Sequence, residues 1–196
     1  MGARIYTRTE YDYDVRKDLS KSVHMTAESI FIEIKSTSSK NIIIGCLYRH
    51  HEKITDFIDN FLVDILAKLR KDKNKTCILM GDFNIDLLKI GDHDESCRFY
   101  EILSENGFRP LILQPSRVTG KSSTLIDNIF INSLEIHSNG GNITSSISDH
   151  FSQFCEIDIF KKSKKAKSVK YGRSYKNFVQ DEFDKEVKSI QWDLLF

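Results

Sequence analysis

The sequence predicts a mixed α/β domain, and three observations carry that prediction. Short apolar runs recur with the two-residue alternation or unbroken apolarity of strands. One long segment between two of them bears a helical stripe, and polar clusters rich in Gly, Ser and Asn punctuate the series.

"ESIFIEIKS" (28–36) alternates, with Ile30, Ile32 and Ile34 on one face and Phe31, Glu33 and Lys35 on the other, the pattern of a half-buried strand. The polar turn "STSSKN" and the continuous apolar run "IIIGCLY" (42–48) complete a hairpin, in which Gly45 marks a bulge or a close approach. Ile54, Phe57, Ile58, Phe61, Leu62, Ile65, Leu66 and Leu69 then recur at three- and four-residue steps, the broad stripe of an amphipathic helix. "KLRKDKNK" sets cations at the negative end of its dipole, and "TCILM" (76–80) returns as a strand.

A second helix is expected over 94–106, with Cys97, Tyr100 and Leu103 inward and Asn106-Gly107 as its stop. "FRPLILQPSRVTGKSS" reads as a strand-like run followed by a loop. "TLIDNIFIN" (124–132) alternates, so that Leu125, Asp127, Ile129 and Ile131 share a face. "NGGNITSSISDH" is a loop by composition, and Cys155, Ile157 and Ile159 alternate in a last strand.

Length and composition fit one domain with an extension: 196 residues, 40% hydrophobic and 29% charged. The expected division is a domain over 1–159, a linker over 160–173 with six lysines in "KKSKKAKSVK", and an amphipathic helical extension over 174–196 aligning Val179, Phe183, Val187 and Ile190. The net charge of +1 announces no global attraction to nucleic acid, so binding must come from local patches. Cys46, Cys77, Cys97 and Cys155 form no C-x-x-C pair and read as reduced cysteines of an intracellular protein. No apolar run reaches membrane-spanning length, and the start is polar.

Three places set acidic or imidazole groups at the edges of apolar strands: Asp82 and Asn84 in "ILMGDFNIDLL", Asp127 in "STLIDNIFI", and Ser148-Asp149-His150 in "ISDHFSQFCEI". Each has a structural reading alone. "GDFN" is a good turn, "SDH" a good cap, and Asp127 a candidate for an arginine partner. Taken together they point to one site where strand ends converge, because a carboxylate inside "LIDNI" needs a cation, a metal or a histidine.

These three motifs resemble those of the endonuclease/exonuclease/phosphatase superfamily. "ESIFIEI", "IIIGCLYRHH" and "QPSRVTGKSSTLIDNIF" are similar to the endonuclease domain of non-long-terminal-repeat retrotransposons. The resemblance implies a four-layer sandwich of two mixed sheets between helices and Mg²⁺- or Mn²⁺-dependent hydrolysis of DNA phosphodiesters. It implies Asp82 as the group that orients or deprotonates water, Asn84 and Tyr48 as phosphate contacts, His150 as donor or base oriented by Asp127, and Asp149 as metal ligand. Their two-residue spacing on one extended segment would put Asp82 and Asn84 on the same side. Arg117, Thr119 and Lys121 lie on a loop suited to phosphate contact, or are simply solvated.

The chain also departs from the family's pattern. The N-terminal asparagine and glutamate strands are missing, and the expectation is a truncated domain that starts in a later strand, "GARIYTR", and lacks the principal metal ligand. Neither Glu28 nor Glu33 is marked as a replacement, and His50-His51 stand where the family has prolines. Three functions are therefore open: a DNA endonuclease, a non-catalytic relic that binds DNA or a partner, and another phosphodiesterase or phosphatase of the superfamily. The tail is similar to the segment that joins such domains to a reverse transcriptase, the partner expected in a parent protein. The lysine cluster is a hydrated linker, a DNA contact or a nuclear address.

Overall fold

The computed structural model describes residues 3–36, 40–72, 74–134, 136–145, 147–158 and 178–191. The chain divides into two units, Met1–Lys161 and Lys162–Phe196. The lysine-rich linker, Ile159 of the last predicted strand and both ends of the 174–196 extension lie outside the described residues. Among the described residues no helix is long and apolar enough to cross a membrane.

The first unit is built on one mixed sheet. β3 (Ala27–Ile34) and β4 (Ile42–Arg49) form the antiparallel hairpin that the alternation predicts. A helix then runs through Ile54–Asp56, a π-helical stretch Phe57–Leu62 and Val63–Leu69, and returns the chain to β5 (Thr76–Asp82), parallel to β4. The helix Asp94–Glu105 precedes β6 (Arg109–Pro110). β9 (Asp127–Ile131) lies antiparallel to β5 and also pairs with β6. β1 (Tyr13–Val15) and β2 (Lys21–Val23) pair with β3, giving the order β1-β3-β4-β5-β9-β6 with β2 off the path. Two smaller ribbons complete the unit, β7 (Arg117–Val118) with β8 (Ser123–Thr124) and β10 (Ser138–Ile143) with β11 (Ser152–Ile157). The class is thus mixed α/β, as expected.

Several expectations need correction. "GARIYTR" forms no strand among its described residues; the first strand is β1. The alternation of β3 leaves open which face is covered, and the face with Phe31 and Glu33 is buried. Phe31 is fully buried, because the 54–69 helix and its neighbours cover that side of the sheet. Gly45 is required by this packing: a Cβ there would come within 2.1 Å of the Phe31 ring. In the Asp94–Glu105 helix the inward residues are Ser96, Phe99 and Leu103, while Cys97 and Tyr100 are half-buried. "NGGNIT", a loop by composition, contributes β10, since a two-stranded ribbon accepts glycines when its partner β11 supplies the apolar side chains.

The helical stripe buries Phe57, Ile58, Phe61, Leu62, Ile65, Leu66 and Leu69. Phe57 meets Phe99 at 6.2 Å between ring centroids, Phe99 meets Phe83 at 5.2 Å, and Phe83 stands edge-on to Phe130 at 5.4 Å. Such offset and edge-to-face contacts add about 0.5–1.5 kcal/mol each beyond burial. They anchor Phe83, and with it the backbone on either side. Cys77 lies in this core, where burial pushes its thiol up to about 12.

The opposite end of the sheet carries an ion network. Glu33 accepts from Asn41 Nδ2 at 2.7 Å, Lys75 Nζ at 2.8 Å and Arg16 Nη1 at 3.2 Å, and Arg16 also pairs with Asp72 at 3.0 Å. Burial pushes the Glu33 and Asp72 carboxyls up, but these donors hold both below the ordinary range. Their stabilisation is therefore present above the unfolded values near pH 4 and is lost as pH falls through the lowered folded values. Glu33→Gln is expected to cost about 2–3 kcal/mol, because it leaves Arg16 and Lys75 underpaired at a half-buried site. Thermal melts at pH 7 should show a fall of roughly 5–10 °C, shrinking below about pH 4.

The second unit contains the helix Gln180–Ser189, on which Val187 is half-buried while Phe183 is exposed and packs against the Phe178 ring at 5.5 Å.

Candidate functional site

Strand register sets one row of polar side chains across the sheet. Glu28 of β3 lies opposite Tyr48 of β4, Tyr48 opposite Asp82 of β5, and Asp82 opposite Asp127 of β9. Directly paired residues project from the same face. By the two-residue period this is the face turned away from Phe31, Leu47, Leu79 and Phe130, so the row stands on the side that the core helices leave open.

Asp127 is the best-connected member. His150 Nδ1 lies 2.9 Å from its Oδ2, and Ser116 Oγ donates to the same oxygen at 2.8 Å. The Ser116 oxygen in turn accepts from Ile126 N and Asp127 N at 3.1 and 2.9 Å. His150 reaches Asp127 because its segment is laced to the one after Pro115: Phe151 N donates to Ser116 O at 2.7 Å, and Val118 N to Asp149 O at 3.1 Å. Sequence reasoning missed Ser116, which is completely buried; "QPSRV" carries no signal that separates it from a loop serine.

Asp82 ends β5 at a sharp corner. Gly81 precedes it with φ of +148°, and a Cβ there would lie 1.8 Å from Leu47 O, so only glycine lets β4 and β5 approach here. Asp82 Oδ1 accepts from Asn84 N at 2.9 Å, and Phe83 N donates to Ile126 O at 2.9 Å. Asn84 has a left-handed φ of +50°, and its Nδ2 donates to Arg49 O at 2.6 Å. This corrects the expectation that Asp82 and Asn84 share one side of an extended segment: the chain turns between them. Burial, and then the neighbouring Asp127 charge, push the Asp82 carboxyl above its ordinary range.

The remaining predicted residues fall elsewhere. Tyr48 lies in the row, edge-on to His50 with ring centroids 5.1 Å apart. Asp149 does not join Asp82, Asp127 and His150: its Oδ2 accepts from Arg117 Nε at 2.7 Å, and this pair holds its carboxyl low. Arg117 is thereby tied at the base of the β7–β8 hairpin, whose tip carries Thr119, half-buried, and Lys121, exposed. Glu28 lies in the row with its Oε2 3.3 Å from Ala3 N, whereas Glu33 belongs to the distant ion network.

One donor atom each from Asp82, Asp127 and His150 lie within 4.8 Å of one another. The two half-buried carboxylates repel, and a cation between them would relieve that repulsion. Their hard oxygens suit Mg²⁺ or Mn²⁺, which bind to one or two carboxylates with water completing the shell. The residues fit a divalent ion.

A sequence model of the Endonuclease/Exonuclease/phosphatase family matches residues 7–150. Among solved structures, the endonuclease domain of TRAS1, a telomere-specific non-LTR retrotransposon, is similar with a TM-score of 0.57 at 18% identity, over 76% of this chain and 67% of that one. A humanized D. rerio TDP2 is similar with a TM-score of 0.53 at 11% identity, over the same shares of each chain. A family protein from Bacteroides thetaiotaomicron gives 0.50 at 19% identity, again over 76% and 67%. A search of curated protein sequences returned no match.

Proposed function

The chain belongs to the Endonuclease/Exonuclease/phosphatase family, and from that premise we propose that it is a divalent-metal-dependent DNA endonuclease of the retrotransposon type, one that nicks a phosphodiester. The observation that supports this best is the convergence of Asp82, Asp127 and His150 within 4.8 Å at the open end of one strand row. A Mg²⁺ or Mn²⁺ ion, when bound, supplies positive charge to the phosphate oxygens.

The side chains then divide the work. Asp82, half-buried and with its carboxyl pushed up, is placed to orient the attacking water and take its proton as the new P–O bond forms. His150, with Nδ1 on Asp127, turns Nε2 to the phosphate and stabilises the charge that builds on it as the bond to the leaving oxygen breaks. Tyr48 offers a hydroxyl from the neighbouring strand, and Asn84 retains a second amide hydrogen for a phosphate oxygen. Asp149 is assigned a supporting part, since its carboxylate is already paired with Arg117. In a longer parent protein, a reverse transcriptase domain is the partner that would use the nick.

The β7–β8 hairpin is the proposed DNA-backbone contact through Arg117, Thr119 and Lys121. Lys121→Glu is expected to weaken DNA binding about threefold to tenfold at low salt and to lower the slope of log affinity against log salt by about one. Unchanged affinity and slope in filter binding would remove the hairpin from the interface.

One observation favours the non-catalytic, DNA-binding reading: the Arg117–Asp149 pair withdraws a carboxylate that the family resemblance implies as a metal ligand. These two readings and the phosphatase reading separate in one experiment. Purified protein is incubated with supercoiled plasmid and, separately, with p-nitrophenyl phosphate, each with Mg²⁺ or with EDTA. Mg²⁺-dependent open circles without monoester hydrolysis are expected for the endonuclease. Binding without nicking identifies the non-catalytic form, and monoester turnover identifies a phosphatase.

A further inference from the structure

Arg49 follows Tyr48 in β4 and points to the opposite face, where it is only 3% exposed. Among the described residues no carboxylate pairs with it. Its guanidinium instead donates to four backbone carbonyls: Nε to Phe83 O, Nη2 to Asn84 O at 2.6 Å, and Nη1 to His51 O and Glu52 O, each at 3.2 Å. The Asn84 side chain closes the loop by donating to the Arg49 carbonyl. Burial lowers the affinity of this guanidinium for its proton, while the nearby Asp82 charge favours the ionised form.

A buried cation costs several kcal/mol unless its donors are all satisfied, so an arginine persists here only where its geometry matters. The four acceptors belong to two chain segments, the 51–52 turn after β4 and the 83–84 corner after β5. A planar fork of fixed N–H directions can hold both; the single ammonium of lysine cannot. The corner it grips has one residue in the left-handed region and carries Asp82 at its start, and the grip lies on the face behind the polar row.

We infer that Arg49 is the positioning residue of the site: its guanidinium clamps the 83–84 corner to the 51–52 turn and so sets Asp82 and Asn84 for the metal and the phosphate. The catalytic part of this role rests on the proposed endonuclease function, while the clamp itself does not.

The test uses the full chain with Arg49→Lys and Arg49→Gln, and Mn²⁺ alone as the ligand probe, with free ion counted by electron paramagnetic resonance. Both variants are expected to keep the wild-type far-UV circular dichroism but to bind Mn²⁺ at least about tenfold more weakly. Nicking at saturating Mn²⁺ should fall about 100-fold in kcat with KM for DNA nearly unchanged, because a displacement of about 1 Å costs that much. The Asn84 amide should exchange at least about tenfold faster while core amides such as Leu79 keep their protection. A lower melting temperature with unaltered Mn²⁺ affinity and Asn84 exchange overturns the inference, as does restoration of Mn²⁺ affinity by lysine. Should both variants fail to fold, the wild-type Arg49 Nε–H resonance decides: slow exchange with hindered guanidinium rotation supports the clamp, and fast exchange with free rotation overturns it. A wild-type chain that neither binds Mn²⁺ nor nicks defeats the endonuclease reading, and exchange at Asn84 then still decides the clamp.

Discussion

Asp82→Asn is expected to slow plasmid nicking by at least about 10³-fold and, in metal-free buffer, to raise the melting temperature by roughly 2–4 °C. Both effects have one cause. Asp82 sits half-buried at the end of β5, and burial and then the Asp127 charge push its carboxyl up. A group whose folded pKa exceeds its unfolded value costs nothing while protonated, and the stability it lends at low pH is lost as pH rises through the folded value. At neutral pH the ionised Asp82 is therefore a net cost, which asparagine removes while keeping an oxygen for the Asn84 amide. Mg²⁺ should offset the same cost in the wild type. An ion at ten times its dissociation constant adds about 1.4 kcal/mol, and Asp82→Asn should forfeit most of that gain. Differential scanning calorimetry with and without Mg²⁺, beside nicking rates, checks both halves. A variant that melts lower than the wild type without metal, or responds equally to Mg²⁺, contradicts the assignment of Asp82.

Asp127→Asn should lower nicking by about 10²–10⁴-fold with little loss of stability. The Asp127 carboxylate holds His150 by Nδ1 at 2.9 Å while accepting from Ser116 on the same oxygen. Those contacts fix which imidazole nitrogen carries the proton and where the other one points. An asparagine amide can present a hydrogen where the ring needs an acceptor, which reverses the tautomer, the effect that makes the corresponding change in a Ser-His-Asp triad so costly. Because the two residues act as a unit, Asp127→Asn combined with His150→Ala should be no slower than His150→Ala alone. Additive losses in that cycle would assign Asp127 to the ion rather than to the orientation of His150.

Local periodicity accounts for much of what was legible beforehand. β3, β4, β5, β9 and the 54–69 helix follow from apolar spacing, because each buries one stripe or face. The ribbon strands β7, β8 and β10 do not, since Ser, Gly and Asn in "SNGGNI" and "KSST" pair by backbone register alone. The side of β3 that the helix covers is not legible for a related reason: alternation shows that two faces differ, not which one a helix will cover.

The candidate site divides in the same way. Asp82, Asp127 and His150 could be picked out as polar residues at strand edges. Their mutual distances depend on pairings across dozens of residues, as do the Arg117–Asp149 contact and the burial of Ser116. Arg49 was hidden for a further reason. Its partners are all backbone carbonyls, and backbone acceptors leave no trace in side-chain identity.

The most direct measurement is the rate at which Mg²⁺-loaded wild-type protein and its His150→Ala form, each shown to be folded, convert supercoiled plasmid to open circles. The predicted result is nicking by the wild type that EDTA abolishes and that His150→Ala reduces by about 10²-fold or more. Equal rates for the two proteins, or no nicking by the folded wild type at saturating Mg²⁺, would contradict hydrolysis by the Asp82–Asp127–His150 site.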